Sequence, residues 1–510
     1  MNKIDDTFLI VKSLNKAEKR FLQLFANSTG GDKQYMKLFE LLDKSKEYNE
    51  SVLLKRFSKD KKILFFQKNY LQQQIILALH QLYTKSNEQK VEMLLHASTL
   101  FFERTLYDQS LKQILKARKA AMDSDDPDLL IKVIRKHRDL LRSGVISSDY
   151  EAEVEKLFAE ELQQVDEIKN NLEYDKLNYE IANTFRRKIR ARDDEENKFY
   201  ESLHKNPLMN DLQNAKHWKA KIHFHNARFV RAMHEEKPED CVAETKAQLD
   251  IFSENTVRVE ALPERYVAAL YNHIKSLVYV KQDEEYLKRV DELRRLPESY
   301  PHIFDQPRQR VRLFELSTIS TLTYCFKSGK IKMGVAFSNS IENEIPVYAP
   351  KMNRINLLYL HAFLQSFYFA SGNWKRTLHH NHIVLTEFSE KDSPRMMLIA
   401  RIVQLILHYE LENIELLQSL VRSAYRYFLN LPSPLRFEKT VIGFLRNLPP
   451  PSASRNLLLN RFQELKNELE VLRKDPLENS VNDFYYIQWL QSNIEKKPII
   501  EFTEGLKFGS

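Results

Sequence analysis

Residues 367–385 read FYFASGNWKRTLHHNHIVL, and the fold of the chain turns on how this stretch is read. Upstream, Leu357, Leu360, Leu364 and Phe367 or Tyr368 recur at i, i+3, i+7 and i+10/11, the spacing of one helix face. Gly372 interrupts the pattern. A second helical run then begins at Trp374 and passes through Leu378, Ile383 and Leu385 before Pro394. Two helices across a tight glycine turn make a hairpin. The same stretch holds His379, His380 and His382, which raises a metal-site reading.

The turn recurs along the chain. TLYDQSL (105–111), EKPEDCV (236–242), GKIKMGV (329–335) and GNWKRTL (372–378) each place a small residue a fixed distance past a turn: Ser110, Cys241, Gly334 and Thr377. Looser versions fall at Glu153, Asn197, Tyr286 and Leu417, giving a period of about 44 residues. A small residue lets the second helix approach the first closely. One hairpin cannot bury its apolar face alone, but stacked neighbours can.

FYFASGNWKRTLHHNHIVL and FFERTLYDQSLKQILKARKAA (101–121) resemble tetratricopeptide (TPR-like) repeats. In that resemblance Tyr368, Gly372, Trp374 and Thr377 are packing and turn positions. The period is longer than the 34 residues of those repeats, and no regular proline closes each unit. The resemblance implies an all-α, right-handed α-solenoid of about eight helix-turn-helix hairpins over residues 91–430. It implies no chemistry.

Composition agrees with a helical chain. Glycine supplies 9 of 510 residues, against a usual level of about 7%. No GxGxxG or GxxxxGK[ST] phosphate loop occurs. Cys241 and Cys325 are the only cysteines and are too far apart for a CxxC site, so a reducing, cytoplasmic setting is expected. The N-terminus lacks the apolar core of a signal peptide, and no run reaches the roughly 18 apolar residues of a membrane helix, so no membrane partner is expected.

The net charge of +8 is uneven, because residues 1–90 carry 17 Lys+Arg against 10 Asp+Glu. This basic helical N-terminal module does not match the repeat. LNKAEKRFLQLFA reads as a helix with Asn15 as cap and Glu18 three residues later. Its short helices resemble a winged-helix DNA reader, although no strand pair follows them. Residues 431–510 read as C-terminal helices and a capping tail, with the aromatic run NDFYYIQWLQSNIE (482–495) covering the exposed end of the stack.

His379 and His382 share a helix face while His380 points away from it. Zinc needs three or four ligands, and none follows at helical spacing. His223 and His225 fall on nearly opposite helix faces. The run FRRKIRARDDEE (185–196) orders its charges as two helix ends would. No catalytic constellation, metal or cofactor is expected. The expected role is a non-enzymatic scaffold that binds a peptide or partner protein in a solenoid groove, through Arg354, Tyr359, His361 and Gln365 on first helices. The alternative is a nucleic-acid-associated regulator whose residues 1–90 contact DNA or RNA.

Overall fold

A computed structural model describes residues 5–28, 34–83, 87–143, 150–188, 205–429, 436–449 and 453–506. Among these residues there are 26 α-helices and no strand. The first nine are α1 (Asp6–Ser13), α2 (Lys16–Ser28), α3 (Gln34–Lys44), α4 (Glu50–Arg56), α5 (Lys61–Tyr83), α6 (Asn87–Glu103), α7 (Tyr107–Asp123), α8 (Pro127–Arg142) and α9 (Tyr150–Lys188). Then come α10 (Trp218–His234), α11 (Pro238–Glu254), α12 (Val257–Ala261), α13 (Pro263–Tyr279), α14 (Asp283–Ser299), α15 (Pro301–Phe304), α16 (Pro307–Lys327), α17 (Ile331–Ile341) and α18 (Ile345–Tyr348). The last eight are α19 (Arg354–Ala370), α20 (Trp374–Glu387), α21 (Pro394–Glu410), α22 (Ile414–Leu429), α23 (Arg436–Asn447), α24 (Arg455–Leu472), α25 (Tyr486–Glu495) and α26 (Ile499–Thr503). The chain divides into two compact units, Met1–Glu236 with Ala247–Tyr266, and Lys237–Lys246 with Val267–Ser510.

One turn geometry explains the recurrence. Thr105, Glu236, Lys281, Gly329, Gly372 and Glu412 all have left-handed backbone, with φ between 55° and 70°. Each follows a helix and reverses the chain. At four of them the helix end is closed twice. The amides of Leu106, Lys330, Asn373 and Asn413 each donate to the carbonyl five residues back at 2.9 Å. The left-handed residue itself donates to the carbonyl three residues back, as Gly372 does to Phe369 at 2.9 Å. This is the Schellman closure of a helix C-terminus. The residue five positions past each turn is Ser110, Cys241, Tyr286, Gly334, Thr377 or Leu417, and all six are buried.

The small side chains there are required by contact. A Cβ on Gly334 would lie 2.2 Å from the ring of Phe367 on α19, which is itself fully buried. Ser110 Oγ donates to the Ser98 carbonyl across the α6–α7 hairpin at 2.9 Å.

Two expected slots behave otherwise. Glu153 is, like the six, the fourth residue of a helix packed on the one before it, but it is only half-buried, and α9 is a single helix of 39 residues where the period called for a break. Nothing in 150–188 breaks a helix: there is no glycine or proline. Asn197 lies outside the described residues, as do residues 29–33 of the Gly-Gly loop, 189–196 of the charge run, and 430–435 and 450–452 of the proline-rich segments.

In the first unit, α1–α5 enclose a core of Val11, Leu22, Leu38, Phe39, Leu42, Leu64, Leu71 and Ile75. The predicted cap at Asn15 is present. The Glu18 amide donates to Asn15 Oδ1 at 2.9 Å, and the Asn15 amide donates back to Glu18 Oε2 at 2.7 Å.

In the second unit, α16 packs on α17, α19 on α20 and α21 on α22, with α19 also packing against α16 and α17. The C-terminal aromatic run does not sit at the end of this stack. It crosses the turns of three successive hairpins. Tyr485 packs on Phe326, Phe484 on Phe369, and Trp489 on Tyr409, with ring centroids 5.6, 4.6 and 6.4 Å apart. Trp489 Nε1–H donates to Glu410 at 2.6 Å. The Gly505 amide donates to the Gly329 carbonyl at 2.8 Å. The segment read as a tail is a brace.

Two substitutions test the turn geometry. Gly334→Ala is expected to destabilise by about 1–3 kcal/mol through overpacking against Phe367, although alanine is the better helix former. Thr105→Gly is expected to stabilise by about 1 kcal/mol, because a β-branched residue is strained at positive φ. Urea unfolding of the full chain measures both.

Candidate functional site

The histidines of α20 separate by face. His379 and His382 are exposed, while His380 is buried and turned toward α19. Its Nδ1 lies 3.0 Å from Nδ1 of His361, and its ring stacks on Tyr368 with planes 10° apart. Two Nδ1 atoms at this distance share one proton, so one imidazole donates and the other accepts. Burial first, then the neighbouring imidazoles, push His361 down to about 4 and His380 to about 3. Among the described residues, no three His, Cys, Asp or Glu side chains gather as a metal-ligand set. His223 is also buried, with Nε2 3.6 Å from Asp175, and burial pushes it down to about 4.

The four residues expected to share a groove do not share a face. Tyr359 and His361 are two residues apart, about 200° around a helix. His361 therefore points into the layer between α19 and α20 and is 5% exposed. Gln365 is also buried, and its Oε1 accepts from Asn381 Nδ2 at 3.2 Å. Arg354 is exposed but engaged: Nε and Nη2 bind Asp392 at 2.7 and 2.9 Å, and Nη2 donates to the Glu387 carbonyl at 2.6 Å. The Arg354 guanidinium holds the Asp392 carboxyl down at about 2. That cluster fastens the start of α19 to the loop before α21.

Tyr359 begins a different face. Tyr359, Ala362, Phe363 and Ser366 follow one another at i, i+3, i+4 and i+7, and together they line a cavity of about 680 Å³. α16 adds Thr323, Phe326 and Lys327. α21 adds Arg395, Met396 and Ile399. Gln365 reaches it too. The C-terminal chain closes one side with Arg473, Asn482 and Asp483. The apolar part is made by Phe326, Ala362, Phe363, Val384, Met396 and Ile399, with polar groups converging on it. This is the composition of a ligand pocket.

The charges in the cavity do not balance. Arg395 and Asp483 form a two-pronged ion pair that ties the C-terminal chain to α21. Burial raises the Asp483 carboxyl against the pull of Arg395. Lys327 and Arg473 form no ion pair among the described residues. The Lys327 ammonium sits 4.7 Å from the ring centroid of Tyr279 on α13, and burial lowers its pKa. Along the same helix, Lys275 repeats this arrangement over Tyr271 at 5.7 Å, and burial lowers it also. The cavity therefore holds Lys327, a cation partly removed from water with no carboxylate to compensate it, and is lined as well by the exposed Arg473.

Of the four residues expected from the sequence, Tyr359 and Gln365 line this cavity, while Arg354 and His361 do not. Its lining comes from residues 323–327, 359–366, 384, 393–399 and 473–483, segments distant in sequence that the packed hairpins bring together and the brace closes on one side. The spacing of Tyr359, Ala362, Phe363 and Ser366 is the one further signal available. Compared with known proteins, the chain matches no protein-family model, no curated protein and no solved structure. The site is described by its own geometry.

The depressed histidines set an acid limit. His273, His361 and His380 of the second unit are held at about 4, 4 and 3 by burial. An unfolded histidine titrates near 6.5, so below that pH the unfolded chain takes up protons that the folded chain refuses. Stability is fully present above about pH 6.5 and falls toward pH 4, by up to roughly 1.4 kcal/mol per pH unit for each group. Urea unfolding at pH 7, 6 and 5 is expected to show this slope. The His361→Gln, His380→Gln double variant is expected to flatten it by about two protons, whatever its stability at pH 7.

Proposed function

We propose that this chain is a non-enzymatic interaction protein of TPR-like, right-handed solenoid type. It receives an acidic, apolar-anchored segment of a partner protein in the cavity of the second unit. The observation that carries this reading is the pair of uncompensated cations, Lys327 and Arg473, set around an apolar lining. A carboxylate entering there gains charge-assisted bonds in a partly desolvated space. Phe326, Phe363, Met396 and Ile399 suit an adjoining apolar side chain. Stacked hairpins offer a long inner surface on which such a segment continues. The step from hairpins to scaffold is an argument from architecture. Neither cysteine is in a disulfide, both are buried, and burial pushes each thiol up to about 11, which supports a reducing compartment such as the cytoplasm.

Lys327→Met separates this reading from a structural one. A buried cation that serves a ligand costs stability, and an apolar replacement restores it. The variant is expected to be more stable than the parent by about 0.5–2 kcal/mol. With Arg473→Gln it is expected to lower partner affinity by at least about tenfold. A photo-crosslinking side chain at Tyr359, used in the native cell, identifies the segment bound. Crosslinks to Asp/Glu-rich segments that vanish in the double variant support the proposal. Crosslinks that persist, or a Lys327→Met chain that is less stable, overturn it.

A further inference from the structure

Helix α5 in the first unit carries a second, independent surface. Its inner face, Leu64, Lys68, Leu71, Ile75 and Ala78, is buried in the N-terminal core. Its outer face is apolar too: Phe66 is 68% exposed, Leu77 51%, Ile63 45% and Tyr70 45%. These four stand at i, i+3, i+7 and i+14, the a and d positions of a heptad seam, with Gln73 in the remaining d position. The seam is about 21 Å long. A helix apolar on both faces is the pattern of one covered on both sides.

The charge beside the seam is mostly positive, with Asp60 set among the cations and its Oδ1 accepting from the Lys62 amide at 2.8 Å. Lys55, Arg56, Lys59, Lys61 and Lys62 are all exposed, and none forms an ion pair among the described residues. Lys61 and Lys62 lie in the first turn of α5, which contains no acidic residue. The positive end of the helix dipole disfavours cations there. A negative partner removes that penalty.

We propose that the α5 seam docks an amphipathic helix of a partner protein, apolar on one face and acidic beside it. The spacing selects a helix over a bilayer, because a surface-lying helix carries cations along its polar face, and these gather at one end. Polar Lys62, Asn69, Gln73 and His80 also divide the seam from Phe65 and Ile76. Ile63 and Leu77 offer neither the phosphate contacts nor the stacking faces on which most nucleic-acid affinity rests.

The test uses the full chain and a designed helical peptide of about three heptads, Leu at a and d and Glu at e and g, with a second peptide carrying Lys in place of Glu. The Glu peptide is expected to bind at least about tenfold more tightly than the Lys peptide. Phe66→Asp with Leu77→Asp is expected to abolish that preference with the melting temperature unchanged, since both side chains are exposed. Lys327→Met with Arg473→Gln is expected to leave it intact, which separates this surface from the cavity. Equal binding of the two peptides overturns the proposal. So does loss of binding in the cavity variant alone. The proposal also fails if, with the Glu peptide unbound, Phe66→Asp abolishes binding to vesicles of ~30 mol% phosphatidylserine, binding to a single-stranded oligonucleotide, or a dimer of the chain itself.

Discussion

The structure depends on one backbone constraint, a single left-handed residue that ends a helix and sends the chain back. With φ near +60°, the amide beyond the turn reaches the carbonyl five residues earlier, and the next helix starts at once. The short turn fixes the register of the second helix against the first. The fifth residue past it must then face the first helix at close range. Ser110 against Ser98 shows that approach within one hairpin, and Gly334 against Phe367 of α19 shows the same want of room toward the next hairpin. Turn, register and small residue are one constraint seen at three places.

That linkage decides what could be read from the letters. Gly329 and Gly372 announce their turns, because glycine is the residue that adopts positive φ without strain. Thr105, Glu236, Lys281 and Glu412 adopt the same backbone, yet nothing in their chemistry marks them. The looser slots at Tyr286 and Leu417 were legible only through the period, and they occupy the same place in the hairpin. The period misled at α9, where the chain had no reason to turn. The cap at Asn15 and Glu18 was legible because both partners lie within three residues of each other. Of the cavity only Tyr359 and Gln365 were legible, because its walls are distant in sequence and its last wall is the brace.

The brace also alters what the histidine-rich stretch means. Viewed alone, His379, His380 and His382 suggest a metal. In the structure His380 spends its Nδ1 on His361, and the exposed pair belongs to the outer surface of α20. The residues of that stretch with consequences are Gly372, Thr377 and Phe369, which make the turn, the close approach and the seat for Phe484. A polar pair buried at the helix interface fixes which faces meet, since any other register leaves an imidazole without a partner.

Several cations among the described residues are held by carboxylates of the chain itself. Arg138 and Arg135 share Glu161, Arg258 bridges Glu254 and Asp125, and Arg395 holds Asp483. An unpaired cation that is also partly desolvated, as Lys327 is, departs from local consistency, and such departures concentrate at functional sites. Lys327 and Arg473 in one unit, and Lys61 and Lys62 in the other, each lie beside apolar surface that folding leaves accessible. An ion pair within the chain would relieve either cluster, and the sequence supplies none. Under the proposed function, such charge beside apolar surface costs stability in the free protein, and an acidic, apolar partner offsets that cost. The positive net charge of the chain is thus less informative than the few positions where it is left unmatched.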